Sequence, residues 1–133
     1  MTEQNLEIVN WPESEYAANK KFIQVEVDGR RYLRVQDEKF ESSTHLGLLG
    51  QTLNDAGIPI VFENGKDIDG KDESRIAPKD ERYNLYGAGH ANFSLSGMYA
   101  VFGANSRSYG LGFNGSDLEE IRRLKPGWEI RSE

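Results

Sequence analysis

The chain has 133 residues, of which 37% are hydrophobic and 29% are charged, a balance that suits a single globular domain with a core of useful size. Its formal net charge of −6 argues against an extended nucleic acid or an anionic membrane as its partner, although a local basic site is compatible with it. The absence of cysteine excludes disulfides, thiol catalysis and cysteine-bound zinc, and two histidines are too few for a multi-histidine metal centre, so no metal or cofactor is expected.

The N-terminal segment, residues 1–19, predicts an arm that lies partly on the core, because its apolar residues are scattered around Pro12. The first ten residues lack the basic and apolar regions of a signal peptide. No stretch of 18 apolar residues occurs in the chain. We therefore expect a cytoplasmic protein without a membrane partner.

The clearest hairpin signal comes next in the chain. Residues 21–27 alternate apolar and polar side chains, which predicts a strand with its branched aliphatic residues on one face. Asp28-Gly29 suits the positive φ angles of a type I′ turn. Residues 30–35 then predict the return strand.

A first helix is predicted over residues 43–56. Ser42-Ser43-Thr44 offers several N-caps, leucines form an apolar stripe, and Gly57 occupies the position that ends many helices. Residues 58–62 are rich in branched aliphatic residues and predict a strand. Asn64-Gly65 predicts the turn after that strand.

The most charged part of the chain is residues 69–82. Its acidic residues do not follow the order of an EF-hand loop, so a solvated loop is favoured over a calcium site. Residues 83–86 and 92–95 then predict two short strands, separated by a turn at Gly87-Ala88-Gly89-His90.

The C-terminal third predicts a strand, a glycine-rich loop, a short helix and a last strand. The strands are residues 98–102 and 128–131, and the helix, residues 117–124, follows Ser116 as its N-cap. Together the elements predict one domain, residues 1–133, of the α+β class, with two helices packed on a mostly antiparallel or mixed sheet.

The glycine-rich loop has two interpretations. Its backbone N–H groups, next to a helix N-terminus, could bind an anion, and Arg107 within the loop would give forked donors to phosphate or carboxylate. The loop matches neither a P-loop nor a dinucleotide-binding motif. A connection whose glycines serve tight turns is therefore the simpler interpretation.

His45 and Lys21 are the candidates for chemistry outside the glycine-rich loop. His45 lies in the first turn of the predicted helix, where the helix dipole disfavours its charged form and leaves it able to act as a general base. A half-exposed histidine near a cap is the alternative. His90 is expected to be a surface residue of its turn. Lys21 opens the first strand and could direct a cation at a ligand, with simple solvation as the alternative.

Several local strings resemble the Janus/Ocnus family, which includes the protein histidine phosphatases. The family's G-G-R-I turn is similar to Gly65-Lys66-Asp67-Ile68, with Asp67 in the place of the arginine. The resemblance extends over about residues 20–130 and requires an insertion at residues 69–97. Its other parts are an alternating first strand, a K-W-x-x-x-H segment, a V-Y-G-Y-S-M-A-Y-G strand, an S-T-E-K-I helix and a Y-P-x-Y-E-V strand, which resemble residues 21–27, 39–45, 101–110, 116–121 and 125–130.

The resemblance implies the fold of this family and a phosphatase site without metal. Carried onto the matching positions, it implies that His45 is the general base that activates water and that Lys21 contacts phosphate. It further implies that Asn105, Ser106 and Arg107 hold the phosphate in a loop.

We therefore expect a metal-free phosphatase or phosphoamidase that acts on a phosphorylated protein or a small phosphorylated ligand. The alternative is a non-catalytic binding protein that keeps the same fold and contacts a protein partner through residues 69–97.

Overall fold

The computed structural model describes residues 6–13, 18–37, 44–103, 106 and 109–133. These residues include eight strands, two α-helices and one 3-10 turn, joined by loops. In chain order they are β1 (Leu6–Val9), β2 (Ala18–Val27), β3 (Arg30–Val35), α1 (His45–Asp55), β4 (Phe62–Lys66), β5 (Asp72–Ile76), β6 (Tyr83–Ser94), β7 (Tyr99–Gly103), the 3-10 turn (Gly115–Asp117), α2 (Leu118–Leu124) and β8 (Glu129–Ser132).

Six of the strands form one mixed sheet in the order β1, β3, β2, β6, β7, β8, and β4 pairs with β5 in a separate hairpin. The two outermost pairs of the large sheet are parallel and its inner pairs are antiparallel. The predicted α+β class, with a mixed sheet and two helices, is confirmed.

The predicted first hairpin is confirmed, because β2 and β3 pair in an antiparallel register that ends at Val27 and Arg30. Asp28 and Gly29 have φ angles of 48° and 84°, as a type I′ turn requires. The N-terminal segment adds a strand of its own, since β1 pairs with β3 in parallel.

The sheet buries a core on each face, and β2 contributes to both, with Ile23, Val25 and Val27 on one face and Phe22 on the other. The core beneath α1 contains Ile23, Val25, Val27, Leu48, Leu49, Leu53, Ile58, Ile76, Tyr83, Leu85 and Ala88. The core beneath α2 contains Leu6, Phe22, Leu33, Val35, Ala91, Phe93, Ala100, Phe102, Ile121 and Ile130. Since α2 contacts both edge strands, β1 and β8, it spans the open side of the curled sheet.

A buried polar cluster joins the 3-10 turn to the centre of the sheet. Asp117 is fully buried and accepts hydrogen bonds from the side chains of Arg31, Gln24 and Tyr86. The Gln24 amide also donates to the Asn114 carbonyl oxygen and accepts from the Asn114 N–H. Burial and the hydrogen bond to Asp117 raise the pKa of Tyr86, which keeps its hydroxyl group as a donor. The charge of Asp117 is therefore compensated on three sides.

The predicted strand at residues 58–62 is wrong. Residues 58–61 lie outside any strand, and β4 begins at Phe62. Asn64-Gly65 does not form the turn but lies inside β4, opposite Ser74 and Glu73. The hairpin turns instead at residues 67–71, where the Asp67 carboxylate accepts the N–H groups of residues 69 and 71.

The predicted pair of short strands at 83–86 and 92–95 is one continuous strand, β6, which pairs with β2 on one side and β7 on the other. The glycines that suggested a turn have another role. A Cβ atom at Gly87 would overlap the side-chain amide of Gln24, so this glycine lets Gln24 lie flat against β6. Tyr86 is the extra residue of a β-bulge, because Gln24 pairs with Gly87 whereas Val25 pairs with Leu85.

The predicted N-cap at Ser116 is also wrong. Asn114 caps the 3-10 turn by accepting a hydrogen bond from the Ser116 N–H, and α2 begins only at Leu118. Asp117 therefore serves the buried cluster and gives α2 no side-chain cap. The cap at the first helix is as predicted, since Thr44 accepts from the Gly47 N–H at 2.9 Å.

The buried cluster predicts a large loss of stability in Asp117→Ala. This variant removes the carboxylate that accepts from Arg31 and Tyr86, and it takes away one of the two acceptors of the Gln24 amide. Removal of one partner from a buried ion pair typically costs about 3–5 kcal/mol in the free energy of unfolding. Urea denaturation should show that loss, whereas Glu119→Ala, which removes a carboxylate exposed on α2, should change it by less than about 0.5 kcal/mol. Equal effects of the two variants would contradict a structural role for the cluster.

Candidate functional site

The candidate site lies where the N-terminal end of α1 meets the sheet. Lys21 on β2 and His90 on β6 are direct cross-strand partners, so their side chains leave the same face of the sheet. His45, the first residue of α1, lies above the sheet next to these two side chains, and the three residues are called the row below. Its ring lies perpendicular to that of His90, with 5.6 Å between the ring centroids.

The row marks the edge of the area that α1 covers. On β6, Ala88 is buried beneath the helix, His90 is half-buried, and Asn92 is exposed. On β2, Ile23 is buried and Lys21 is half-buried in the same way. The site is therefore a boundary between the core under α1 and solvent.

The orientation of His45 follows from one hydrogen bond. Its Nε2 lies 2.9 Å from the carbonyl oxygen of Gly89, which can only accept. In the neutral ring Nε2 therefore carries the hydrogen, and Nδ1 keeps the lone pair that can accept a proton. The side chain is well covered, since only 5% of the residue is exposed.

The pKa of His45 lies below its ordinary value of about 6.5. Burial is the largest cause, because it disfavours the charged ring. The Gly89 carbonyl opposes this effect, and the positive charges of His90 and Lys21 add to it. The helix position suggested a neutral histidine through the dipole, but the structure attributes that state first to burial.

His90 is not the turn residue that the sequence predicted. It lies in the middle of the large sheet, with Lys21 beside it on β2 and Gly103 beside it on β7. Burial and then the charge of Lys21 lower the pKa of His90. Ala88, His90 and Asn92 alternate along one face of β6, but the glycines at positions 87 and 89 favoured a turn over a strand at this point of the sequence.

The glycine-rich loop is only partly within the described residues. Asn105 and Arg107, which the resemblance assigns to phosphate, lie outside them. Ser106 is fully buried, and its N–H donates to the Leu111 carbonyl oxygen at 2.7 Å. Its hydroxyl oxygen accepts from the Tyr109 N–H. A phosphate contact by Ser106 stays a prediction, and its backbone donor would have to leave Leu111 to make it.

The far side of this loop packs on the core. The Tyr109 hydroxyl group donates to the Ile76 carbonyl oxygen, and the ring lies under the guanidinium of Arg75. Gly110 has a φ angle of 64°, which a glycine adopts without strain. These contacts indicate that this part of the loop serves to connect and pack the neighbouring elements.

The described part of the chain contains no group of three or more histidine, aspartate or glutamate side chains placed to hold a metal ion. It also contains no helix long and apolar enough to cross a membrane.

The chain matches no model of a known protein family, and no curated protein sequence matches it. The resemblance to the Janus/Ocnus family therefore stays an expectation.

The site brings together two of the residues that the sequence singled out, His45 and Lys21, and adds His90. A neutral imidazole with a free lone pair can take a proton from water, and the two further groups can carry positive charge. These properties suit a site for an anion at which a proton is transferred.

The buried state of His45 predicts a dependence of stability on pH. Because its pKa is lowered on folding, the unfolded chain binds a proton more readily, so the free energy of unfolding falls as the pH drops below about 6.5. One such group changes this energy by at most about 1.4 kcal/mol per pH unit. In His45→Gln the amide can still donate to Gly89 but does not titrate, so denaturation measured between about pH 5 and pH 7 should give a shallower slope. An unchanged slope would show that His45 does not titrate differently in the folded protein.

Proposed function

We propose that this protein is a metal-free hydrolase of phosphorylated substrates, a phosphoamidase or phosphatase that uses His45 as its general base. The observation that carries the proposal is the state of His45: covered, neutral and fixed through Nε2 beside Lys21. A general base needs a proton-accepting atom held in a defined direction, and this arrangement supplies one.

Nδ1 of His45 takes a proton from the water that attacks phosphorus. As the new P–O bond forms, the bond from phosphorus to the leaving oxygen or nitrogen breaks, and the leaving group acquires a proton from solvent. The products are inorganic phosphate and the free alcohol or amine, and His45 returns its proton to water. A base placed in this way typically contributes about 10²- to 10⁴-fold to the rate.

Lys21 compensates the charge of the phosphoryl group. Its positive charge is close enough to the two histidines to lower the pKa of both. A cation that is fixed before the reaction stabilises the developing negative charge without reorganisation of solvent. This role agrees with the one that the family resemblance implies for Lys21.

The second candidate function is a non-catalytic binding protein. The observation that favours it is a group of exposed apolar residues at the β4–β5 hairpin: Ile60, Val61, Phe62 and Ile68, with Phe62 67% exposed. Large exposed apolar groups of this kind often mark contacts with other proteins. Within the partner segment predicted at residues 69–97, residues 83–94 form β6, which lies between β2 and β7 in the sheet.

The hydrolase proposal predicts loss of activity in two variants. His45→Gln keeps a donor for Gly89 but removes the base, and it should lower kcat for phosphohistidine and para-nitrophenyl phosphate at least about 100-fold. Lys21→Gln should also lower kcat/KM, whereas Lys66→Gln, which removes an exposed lysine of the β4–β5 hairpin, should not. A chelator should leave the wild-type rate unchanged.

Wild-type protein without hydrolysis of either substrate would reject the catalytic proposal in favour of the binding protein. Full activity in His45→Gln would reject His45 as the base.

A further inference from the structure

We propose that His90, together with Lys21, binds the phosphoryl group of the substrate through its side chain. This inference deepens the proposed function, on which it rests, by naming a binding residue and a class of ligand. It replaces the expected surface role of His90 with a direct contact to the ligand.

The first support is the register of β2 and β6. Direct cross-strand partners have Cβ atoms about 4.5–5.5 Å apart, so the imidazole of His90 and the ammonium group of Lys21 rise from neighbouring points on one face. A single phosphoryl group has oxygens that can accept from both donors. The pair lies in the large sheet, whose strands fix both backbones.

The second support is the order of burial in the row. His45 is 5% exposed, whereas His90 and Lys21 are half-buried. A ligand that approaches from solvent therefore meets His90 and Lys21 first. The ring of His45 lies 5.6 Å from that of His90, so a group bound to His90 and Lys21 is also next to the proposed base.

The third support is the local charge. The groups that shift the pKa of His45 electrostatically are His90 and Lys21, and Lys21 also lowers the pKa of His90. The charge of Lys21 disfavours a proton on either histidine in the free protein, and a bound dianion would offset that effect. An otherwise acidic chain thus has a lysine and two histidines side by side here.

The neighbours of His90 define what else could titrate at the site. Lys21 faces it from β2 and His45 from α1. Its β7 partner, Gly103, has no side chain, and the side chain of Glu133 occupies the space above that glycine. Glu133 is therefore the carboxylate to control for in any experiment on this row.

The ligand that fits is a dianionic terminal phosphoryl group, as in a phosphomonoester or a phosphoamide. His90 can gain a proton when such a group binds, so that two positive charges meet two negative ones. A phosphodiester has one negative charge and would use only half of this complementarity. The pair therefore favours terminal phosphoryl groups over diesters.

The experiment measures binding without catalysis. Inorganic phosphate is titrated into the wild-type protein and variants, with binding followed by the imidazole and backbone resonances in NMR spectra. His90→Gln and Lys21→Gln should each weaken phosphate about tenfold, since each removes a charge-assisted hydrogen bond, and Lys66→Gln should match the wild type. Diethyl phosphate should bind more weakly than inorganic phosphate to the wild type.

Sulfate, which stays a dianion near neutral pH, tests the proton on His90. Its affinity for the wild type should rise between about pH 8 and about pH 6. His90→Gln should lose this rise, and Glu133→Gln should keep it. In the wild type alone, saturating sulfate should raise the pKa of His90, a result that does not depend on the folding of any variant.

The outcomes separate the two proposals. Phosphate binding that needs His90, without hydrolysis of any substrate, would support the pair and reject the catalytic function. Hydrolysis that needs His45, with unchanged phosphate affinity in His90→Gln, would overturn the pair alone. No binding of millimolar phosphate to the wild type would overturn the pair, whereas the catalytic function is decided by the hydrolysis assays alone.

Discussion

The pairing of β2 with β6 is the constraint on which the rest of the structure depends. Both strands lie inside the large sheet, so both bury side chains on its two faces, and β2 supplies Phe22 to one core and Ile23 to the other. The same register sets Lys21 opposite His90. Since α1 packs on one of these cores, its first residue, His45, reaches that row. Fold and candidate site therefore follow from one strand pairing.

A bulge in this pairing has its own consequence. Because Tyr86 is the extra residue, Gln24 lies against Gly87 and can reach Asn114 and the buried Asp117. The C-terminal 3-10 turn, and α2 directly after it, are tied to the middle of the sheet by this contact. The polar cluster thus fixes the position of α2 against the edge strands β1 and β8. Apolar packing alone would not do so, because the hydrophobic effect is not directional.

The sequence predicts correctly those elements of the fold whose formation depends on residues close together in the chain. The alternation in residues 21–27, the Asp28-Gly29 turn and the start of α1 all agree with the structure, because each depends on near neighbours. The turn predicted around Gly87 is wrong, since the need for this glycine comes from the side chain of Gln24 on another strand. His90 was missed at the site for the same reason: its partner lies far away in sequence.

The proposed chemistry depends most directly on the protonation state of the His45 ring. A long-range ¹H–¹⁵N NMR spectrum of the histidine rings near neutral pH would measure it. The structure predicts a neutral ring with the hydrogen on Nε2 and a lone pair on Nδ1, because Nε2 faces the Gly89 carbonyl oxygen. A ring with its hydrogen on Nδ1, or a ring that is still doubly protonated near neutral pH, would contradict the account, since neither could take a proton from water at Nδ1.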